Sequence, residues 1–260
     1  MDAPSRWHGQ PGDHPDNYPR WHTDSYFDPV LYHNGQPVPT SGYCTDIFFD
    51  AAMRFIKDHQ DGPFFAYIAT NAPHTPLLVG DEWVDRYRKL GVNETHARLY
   101  GMVENIDWNM GRLLAKLADL GVADNTIVIY TSDHGPCGSA QHNGEDRWNG
   151  GLRGIKGTMY EGGIRVPCFW RWPGHFPAGH DVDRIAHPID VLPTLLAACD
   201  LPMLEDLQID GVNLLPILCN DVGPEAWPER SIFMQWHRGD LPVHYRNYAV
   251  ITQRHKLYRP

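Results

Sequence analysis

Two short apolar runs, FFAYIAT from Phe64 to Thr70 and TIVIYTS from Thr126 to Ser132, constrain the fold more than any other feature. Each is bounded by turn residues and each runs directly into a polar cluster. Continuous apolar runs of this length suit parallel strands buried on both faces. A third run, VPCFWRW from Val166 to Trp172, has the same character. Helical patterns lie between them. In DIFFDAAMRFIKDH, the residues Ile47, Phe48, Ala51, Ala52, Phe55 and Ile56 share one predicted face. Met102, Val103, Ile106, Met110, Leu113, Leu114 and Leu117 form a longer stripe, and Gly121 stands where a helix ends with positive φ. Asp190 is placed to cap a helix through VLPTLLAAC, with Pro193 tolerated in its first turn. The alternation predicts an α/β sheet with helices on both faces. Before Tyr43 the chain is rich in Pro, Gly, His and Asp and shows no period, so it is expected to be irregular; beyond Leu201 the pattern weakens.

Net charge narrows the partners. At −10 over 260 residues, the chain lacks the basic surface that neutralises a nucleic-acid backbone. An anionic substrate is compatible only with local donors or a metal ion. No apolar run reaches the roughly 20 residues of a membrane span, and the first residues have no basic-then-apolar leader pattern. Five cysteines, Cys44, Cys137, Cys168, Cys199 and Cys219, are widely spaced with no C-x-x-C pair. This is neither a zinc knuckle nor a dense disulfide framework.

The polar clusters carry the chemistry. In open α/β sheets, ligands gather beyond the carboxyl ends of the strands. There stand Asn71-Ala72-Pro73-His74-Thr75-Pro76 and Asp133-His134-Gly135. A third polar segment, 149–157, holds Lys156 and precedes Glu161-Gly162-Gly163-Ile164-Arg165. Taken singly each has a bland reading: a hydrogen-bonded histidine among fifteen, a turn, a solvated glycine loop. Together they form a set. Asp133, and less naturally His134, can ligate a hard cation such as Ca²⁺ or Mg²⁺. Lys156 supplies a point charge for an anionic group, and His74 a proton for a leaving oxygen. Such a set suits cleavage of a sulfate or phosphate ester.

The blocks GYCTDIFFDAAMRFI, PFFAYIATNAPHTPL, VENIDWNMGRLLAKLADLGVADNTIVIYTSDHG, LRGIKGTMYEGGIRVP and HPIDVLPTLLAACDLP resemble the sulfatase family, in the family's order, from about Tyr26 to Leu218. The resemblance implies an alkaline-phosphatase-like α/β fold, here incomplete, and hydrolysis of sulfate monoesters of arylsulfatase type. It implies Ca²⁺ (or Mg²⁺) ligation by Asp133 and His134, contact of Lys156 with the sulfate and leaving oxygen, and sulfate binding and leaving-group protonation by His74. Arg165 and Glu161 belong to a family block and read as structural. The implied substrate is a small-molecule or glycan sulfate ester, and the implied setting of a full-length member is periplasmic or secreted.

The family's nucleophile is a formylglycine made from the Cys of a C-x-P-S-R motif, and this sequence contains no such motif. Asp2-Ala3-Pro4-Ser5-Arg6 imitates it with Asp in the Cys position, too near His74 for the family's spacing. Arg6-Trp7-His8-Gly9 echoes a family K-W-H-x-G motif, and no Asp-Asp metal pair is present. The chain is therefore expected to be a sulfatase truncated at its N-terminus, and at its C-terminus too. Expected divisions are a segment 1–42 left from an upstream catalytic domain, the later part of that domain over 43–220, and the start of a small C-terminal subdomain over 221–260, with YAVITQRHKLYRP as its entering strand. Two other readings stay open: a phosphodiester or phosphonate monoester hydrolase with the same metal site, and a non-catalytic relative.

Overall fold

The structure, a computed structural model, describes residues 26–137, 148–203, 206, 208–237, 241 and 243–260. The chain divides into two compact units, Met1–Val122 and Ala123–Pro260. The imitations at Asp2–Arg6 and Arg6–Gly9 lie outside the described residues.

The first unit begins with a hairpin where irregular chain was expected. Strands β1 (Val30–His33) and β2 (Gln36–Pro39) pair antiparallel with His33 opposite Gln36. Asn34 and Gly35 form the turn, both at positive φ, as the two-residue hairpin turn matched to strand twist requires. Helix α1 (Cys44–Asp58) follows, then α2 (Asp81–Lys89) and α3 (Glu94–Asp119). Asn93 caps α3 by accepting a hydrogen bond from the His96 N–H at 2.9 Å. At its far end Gly121, at φ +71°, donates to Ala118, while Val122 donates to Leu117. This pair of bonds satisfies carbonyls that the helix end leaves open, and confirms the expected stop.

The face of α1 is phased differently from its prediction. Thr45, Phe49 and Ile56 are buried, whereas Ala51 and Phe55 are exposed. The cause is polar. Asp46 on α1 accepts from Asn105 and Asn109 of α3 at 2.9 and 2.7 Å, and both asparagines are fully buried. Arg112 continues the ladder, donating to Asn109 at 2.8 Å and to Asp50 at 2.5 Å. An apolar periodicity cannot register a helix interface centred on paired polar groups. Likewise Val103, assigned to the stripe, faces outward at 43% exposure. Around the ladder, Phe49, Ile56, Met102, Leu113 and Leu117 bury their side chains, each contributing about 1.5–3 kcal/mol. Helices α2 and α3 approach closely at Gly101, where a Cβ would come within 3.0 Å of the Trp83 carbonyl oxygen.

The segment 64–70 is not a strand among the described residues, and Phe65 and Tyr67 stand 73% and 84% exposed. An apolar run specifies a strand only when a neighbouring strand completes the ladder.

In the second unit, the two other apolar runs become β3 (Val128–Thr131) and β4 (Cys168–Arg171), but they pair antiparallel, with Val128 opposite Arg171. The parallel pairing expected of such runs is not found among the described residues. Short helix α4 (Glu161–Ile164) precedes β4, and α5 (Val191–Ala198) and α6 (Leu215–Leu218) follow it. Asp190 does stand at the N-cap of α5, but its carboxylate does not cap it. Instead it accepts from the His187 and Val212 backbone N–H groups at 2.8 and 2.9 Å, and from Arg230 at 2.8 and 2.9 Å. Asp190 is completely buried, so this saturation is what lets a carboxylate sit there. The tail forms a three-stranded antiparallel sheet of β5 (Ile232–Gln235), β6 (Tyr248–Ile251) and β7 (Lys256–Arg259), a hairpin and a partner where a single strand was expected. No described helix is long and apolar enough to cross a membrane.

Candidate active site

Strand β3 delivers the chain into Ser132-Asp133-His134-Gly135, the turn in which two of the expected site residues stand. Gly135 lies against the glycines of α4. A Cβ at Gly135 would fall 1.8 Å from the Gly162 carbonyl oxygen, and one at Gly162 would fall 2.2 Å from that of Gly154. Only glycine permits these approaches. The Gly135 N–H donates to the Gly163 carbonyl at 3.0 Å, and the Lys156 N–H donates to the Pro136 carbonyl at 2.8 Å. The Asp133–His134 turn and the Lys156 loop are therefore stitched together by backbone alone.

The outer side of this loop is braced by side chains. Glu161 accepts from Lys256 of β7 at 2.8 Å, with Arg165 4.0 Å away, and Arg153 stacks over the Tyr160 ring at 4.0 Å. Tyr160 in turn meets Tyr258 edge-on. Glu161 thus ties the loop to β7. Lys156 is half-buried, and its ammonium has no ion-pair partner among the described residues.

The two candidate metal ligands are arranged informatively. His134 Nδ1 lies 2.7 Å from the Gly135 carbonyl oxygen. A carbonyl only accepts, so Nδ1 carries the hydrogen. Nε2 then faces Asp133 Oδ2 at 3.0 Å. The Nε2 lone pair of the neutral ring and the Asp133 carboxylate oxygen thus point to one place, where a cation can be shared by both atoms. Asp133 is 80% exposed, so a hydrated cation can reach it. The pair fits part of such a cation's shell. Among the described residues no third His, Cys, Asp or Glu side chain joins them.

His74 belongs to the first unit. It follows the Ala72-Pro73 bond and precedes Thr75-Pro76, both cis. Its backbone is held by its own N–H to Asn71 and by the Tyr26 hydroxyl, which donates to the His74 carbonyl, each at 2.9 Å. Nδ1 donates to the Thr75 carbonyl at 2.7 Å, leaving Nε2 as the ring nitrogen available to a substrate. His74 is exposed.

Sequence reasoning left one neighbouring feature out. Trp236, His237, Arg246 and Asn247 line a cleft of about 380 Å³ that includes Gly157, the residue after Lys156. They sit beyond Leu201, where no periodicity guides a reading.

Comparison with known proteins bears on what this loop cluster belongs to. The family model described as Sulfatase matches residues 4–201. The chain belongs to the sulfatase family. A second model, N-sulphoglucosamine sulphohydrolase, C-terminal, matches residues 152–259. The uncharacterized sulfatase YdeN of Escherichia coli is 36% identical over 200 residues, covering 75% of this chain and 34% of that protein. Human N-acetylgalactosamine-6-sulfatase is 37% identical over 198 residues, 75% of this chain and 35% of that protein. This sulfatase-family chain thus spans about a third of the length of such relatives. The crystal structure of Ps i-CgsB in complex with k-i-k-neocarrahexaose matches at TM-score 0.73 and 30% identity, over 85% of this chain and 51% of that one. The phosphonate monoester hydrolase SpPMH of Silicibacter pomeroyi matches in fold, at TM-score 0.58 and 19% identity, over 88% of this chain and 55% of that one. The fold of the sulfatase-family chain is accordingly the α/β fold of the alkaline-phosphatase type.

Proposed function

We propose that this chain carries part of the site of a sulfuric ester hydrolase acting on sulfate monoesters, with a saccharide ester as the substrate class. The observation that carries the reading is the stitched pair of loops that bears Asp133, His134 and Lys156. The likeness to N-acetylgalactosamine-6-sulfatase and to Ps i-CgsB with its neocarrahexaose supports the sugar.

In this reading Lys156 binds a sulfate oxygen as a point charge, favoured by its half-buried position. Asp133 and His134 hold a divalent cation, Ca²⁺ or Mg²⁺, which when bound offsets charge developing on the sulfate. The fixed Nδ1–H of His134 keeps its Nε2 lone pair for that role. For His74, whose Nδ1–H is committed to Thr75, donation from Nε2 to the leaving oxygen requires the doubly protonated ring, which returns to the Nδ1–H form after the transfer. The sequence offers no C-x-P-S-R cysteine, so no attacking step is assigned to it.

The test is a nitrogen-15 NMR titration of the purified chain with sulfate in the presence of CaCl₂. Shifts at Asp133–Gly135 and Lys156–Gly157 are expected, and are lost in Lys156→Ala. Shifts that survive Lys156→Ala, or none at these positions, would overturn the reading. Phenylphosphonate binding tenfold tighter than aryl sulfate would move the chain to the phosphonate monoester class instead.

A further inference from the structure

Lys156 stands on a four-residue turn whose shape follows from its sequence, Ile155-Lys156-Gly157-Thr158. The Thr158 N–H donates to the Ile155 carbonyl at 3.0 Å and closes the turn. Lys156 is the second residue, and the third, Gly157, sits at φ +86°. A turn with positive φ at its third residue calls for glycine there. A turn closed by one backbone bond still opens readily into solvent.

The Thr158 hydroxyl adds a second closure. Its Oγ1 donates to the Ile155 carbonyl at 2.8 Å and accepts from the Ile155 N–H at 3.2 Å. One hydroxyl thereby holds both backbone groups of the residue just before Lys156. Glycine backbones press on it from two sides. A Cβ at Gly154, at φ +91°, would fall 2.6 Å from Oγ1, and one at Gly163 would fall 2.8 Å from it. Gly163 is also the residue whose carbonyl accepts the Gly135 N–H at 3.0 Å. The hydroxyl therefore sits between the turn of Lys156 and the glycines that meet the Asp133–His134 turn. On the entry side, Asn149 Nδ2 donates to the Leu152 and Gly154 carbonyls at 2.7 and 3.3 Å, so the chain reaches Ile155 already held.

The ammonium of a lysine rides on a flexible four-carbon stem. It binds an anion best when the root of that stem is fixed, because less freedom is then lost on binding. We infer that Thr158 is a positioning residue for Lys156: its hydroxyl locks the turn that presents the ammonium and so sets its affinity for sulfate. Thr158 acts through the backbone of Ile155, not on the anion. The inference rests on the reading in which Lys156 binds a sulfate oxygen.

Nitrogen-15 NMR of the full chain supplies two readouts: amide exchange without ligand, and the dissociation constant for magnesium sulfate. A dispersed amide spectrum reports that each variant is folded. Thr158→Val keeps the branched shape and loses both hydroxyl bonds, whereas Thr158→Ser keeps them. The valine variant is expected to speed exchange at the Ile155 amide and to weaken sulfate binding about fivefold, most of the worth of a partly exposed charged contact. The serine variant restores both. Lys156→Ala weakens sulfate at least as much and leaves the Ile155 amide slow. Unchanged affinity in Lys156→Ala overturns the lysine reading and the inference with it. Binding weakened by Lys156→Ala but not by Thr158→Val, or a serine variant as weak as the valine one, overturns the inference alone. Should the valine variant not fold, the wild-type chain still decides: an Ile155 amide that exchanges at the unprotected rate overturns the lock.

Discussion

Gly135 and Gly162 touch backbone to backbone, closely enough that one methyl group at Gly135 would fall 1.8 Å from the Gly162 carbonyl oxygen. This contact, with the Gly135–Gly163 hydrogen bond at 3.0 Å, sets the Asp133–His134 turn against the loop of Lys156. Gly135→Ala is expected to destabilise the second unit by about 1–3 kcal/mol, the usual cost of forcing atoms into a filled space. It should also shift the amide resonances of both loops. Thermal melting and NMR check this. A variant with unchanged melting and unchanged resonances would show that the contact does not hold the loops.

The buried carboxylate of Asp190 has Arg230 as its charge partner, itself only 10% exposed. Arg230→Met leaves that carboxylate uncompensated and is expected to cost about 3–5 kcal/mol, read as a lowered urea midpoint. The double variant Arg230→Met, Asp190→Leu should recover part of the loss. A midpoint within error of wild type in the single variant would remove this pair from the account of stability.

A pH dependence follows from the same neighbourhood. Burial pushes the His187 imidazole below its ordinary value, an effect opposed by Asp190 and reinforced by Arg230. The unfolded chain then takes up the proton more readily than the folded one. Stability from the neutral ring is present above about pH 6.5 and is lost as pH falls through the depressed folded value. The neutral ring also accepts from the Ile189 N–H through Nδ1, which protonation forbids. Melting between pH 7.5 and 5 is expected to decline more steeply for wild type than for His187→Asn. Parallel curves would count against it.

The thiols of Cys44, Cys168 and Cys199 differ in setting. Burial pushes the Cys44 thiol up to about 11, whereas Cys168 and Cys199 are exposed. A disulfide reagent at neutral pH should therefore react quickly with Cys168 and Cys199 and with Cys44 only in denaturant. Rapid labelling of Cys44 in the folded chain, located by peptide mapping, would place that helix start in solvent.

Much of this was legible because the signals are local. Gly121 stops α3 as its position predicts, and the two apolar runs at 126–132 and 166–172 both contain strands. The helix start at Asn93 and the hairpin at Asn34-Gly35 rest on short-range cap and turn chemistry but lie outside any apolar pattern, and the hairpin replaces the irregular chain expected there. What apolar periodicity hides is polar burial. Asn105, Asn109 and Asp46 sit in the helix interface because they satisfy one another, and Asp190 serves Arg230 rather than its own helix for the same reason. Strand partners were hidden too, since an apolar run does not name its neighbour: 64–70 finds none among the described residues, and β3 finds β4 in the antiparallel sense. Of the proposed site, Asp133, His134, Lys156 and His74 all come from sequence motifs. The cleft of Trp236 and Arg246 had no motif to mark it.

The central claim is that this chain holds a sulfate-binding part of the site but no nucleophile. Incubation of the purified chain with 4-nitrophenyl sulfate and CaCl₂ tests it most directly, with nitrophenol release and NMR shifts at Lys156–Gly157 read on the same sample. The account predicts shifts without release. Release of nitrophenol that Lys156→Ala abolishes would contradict it.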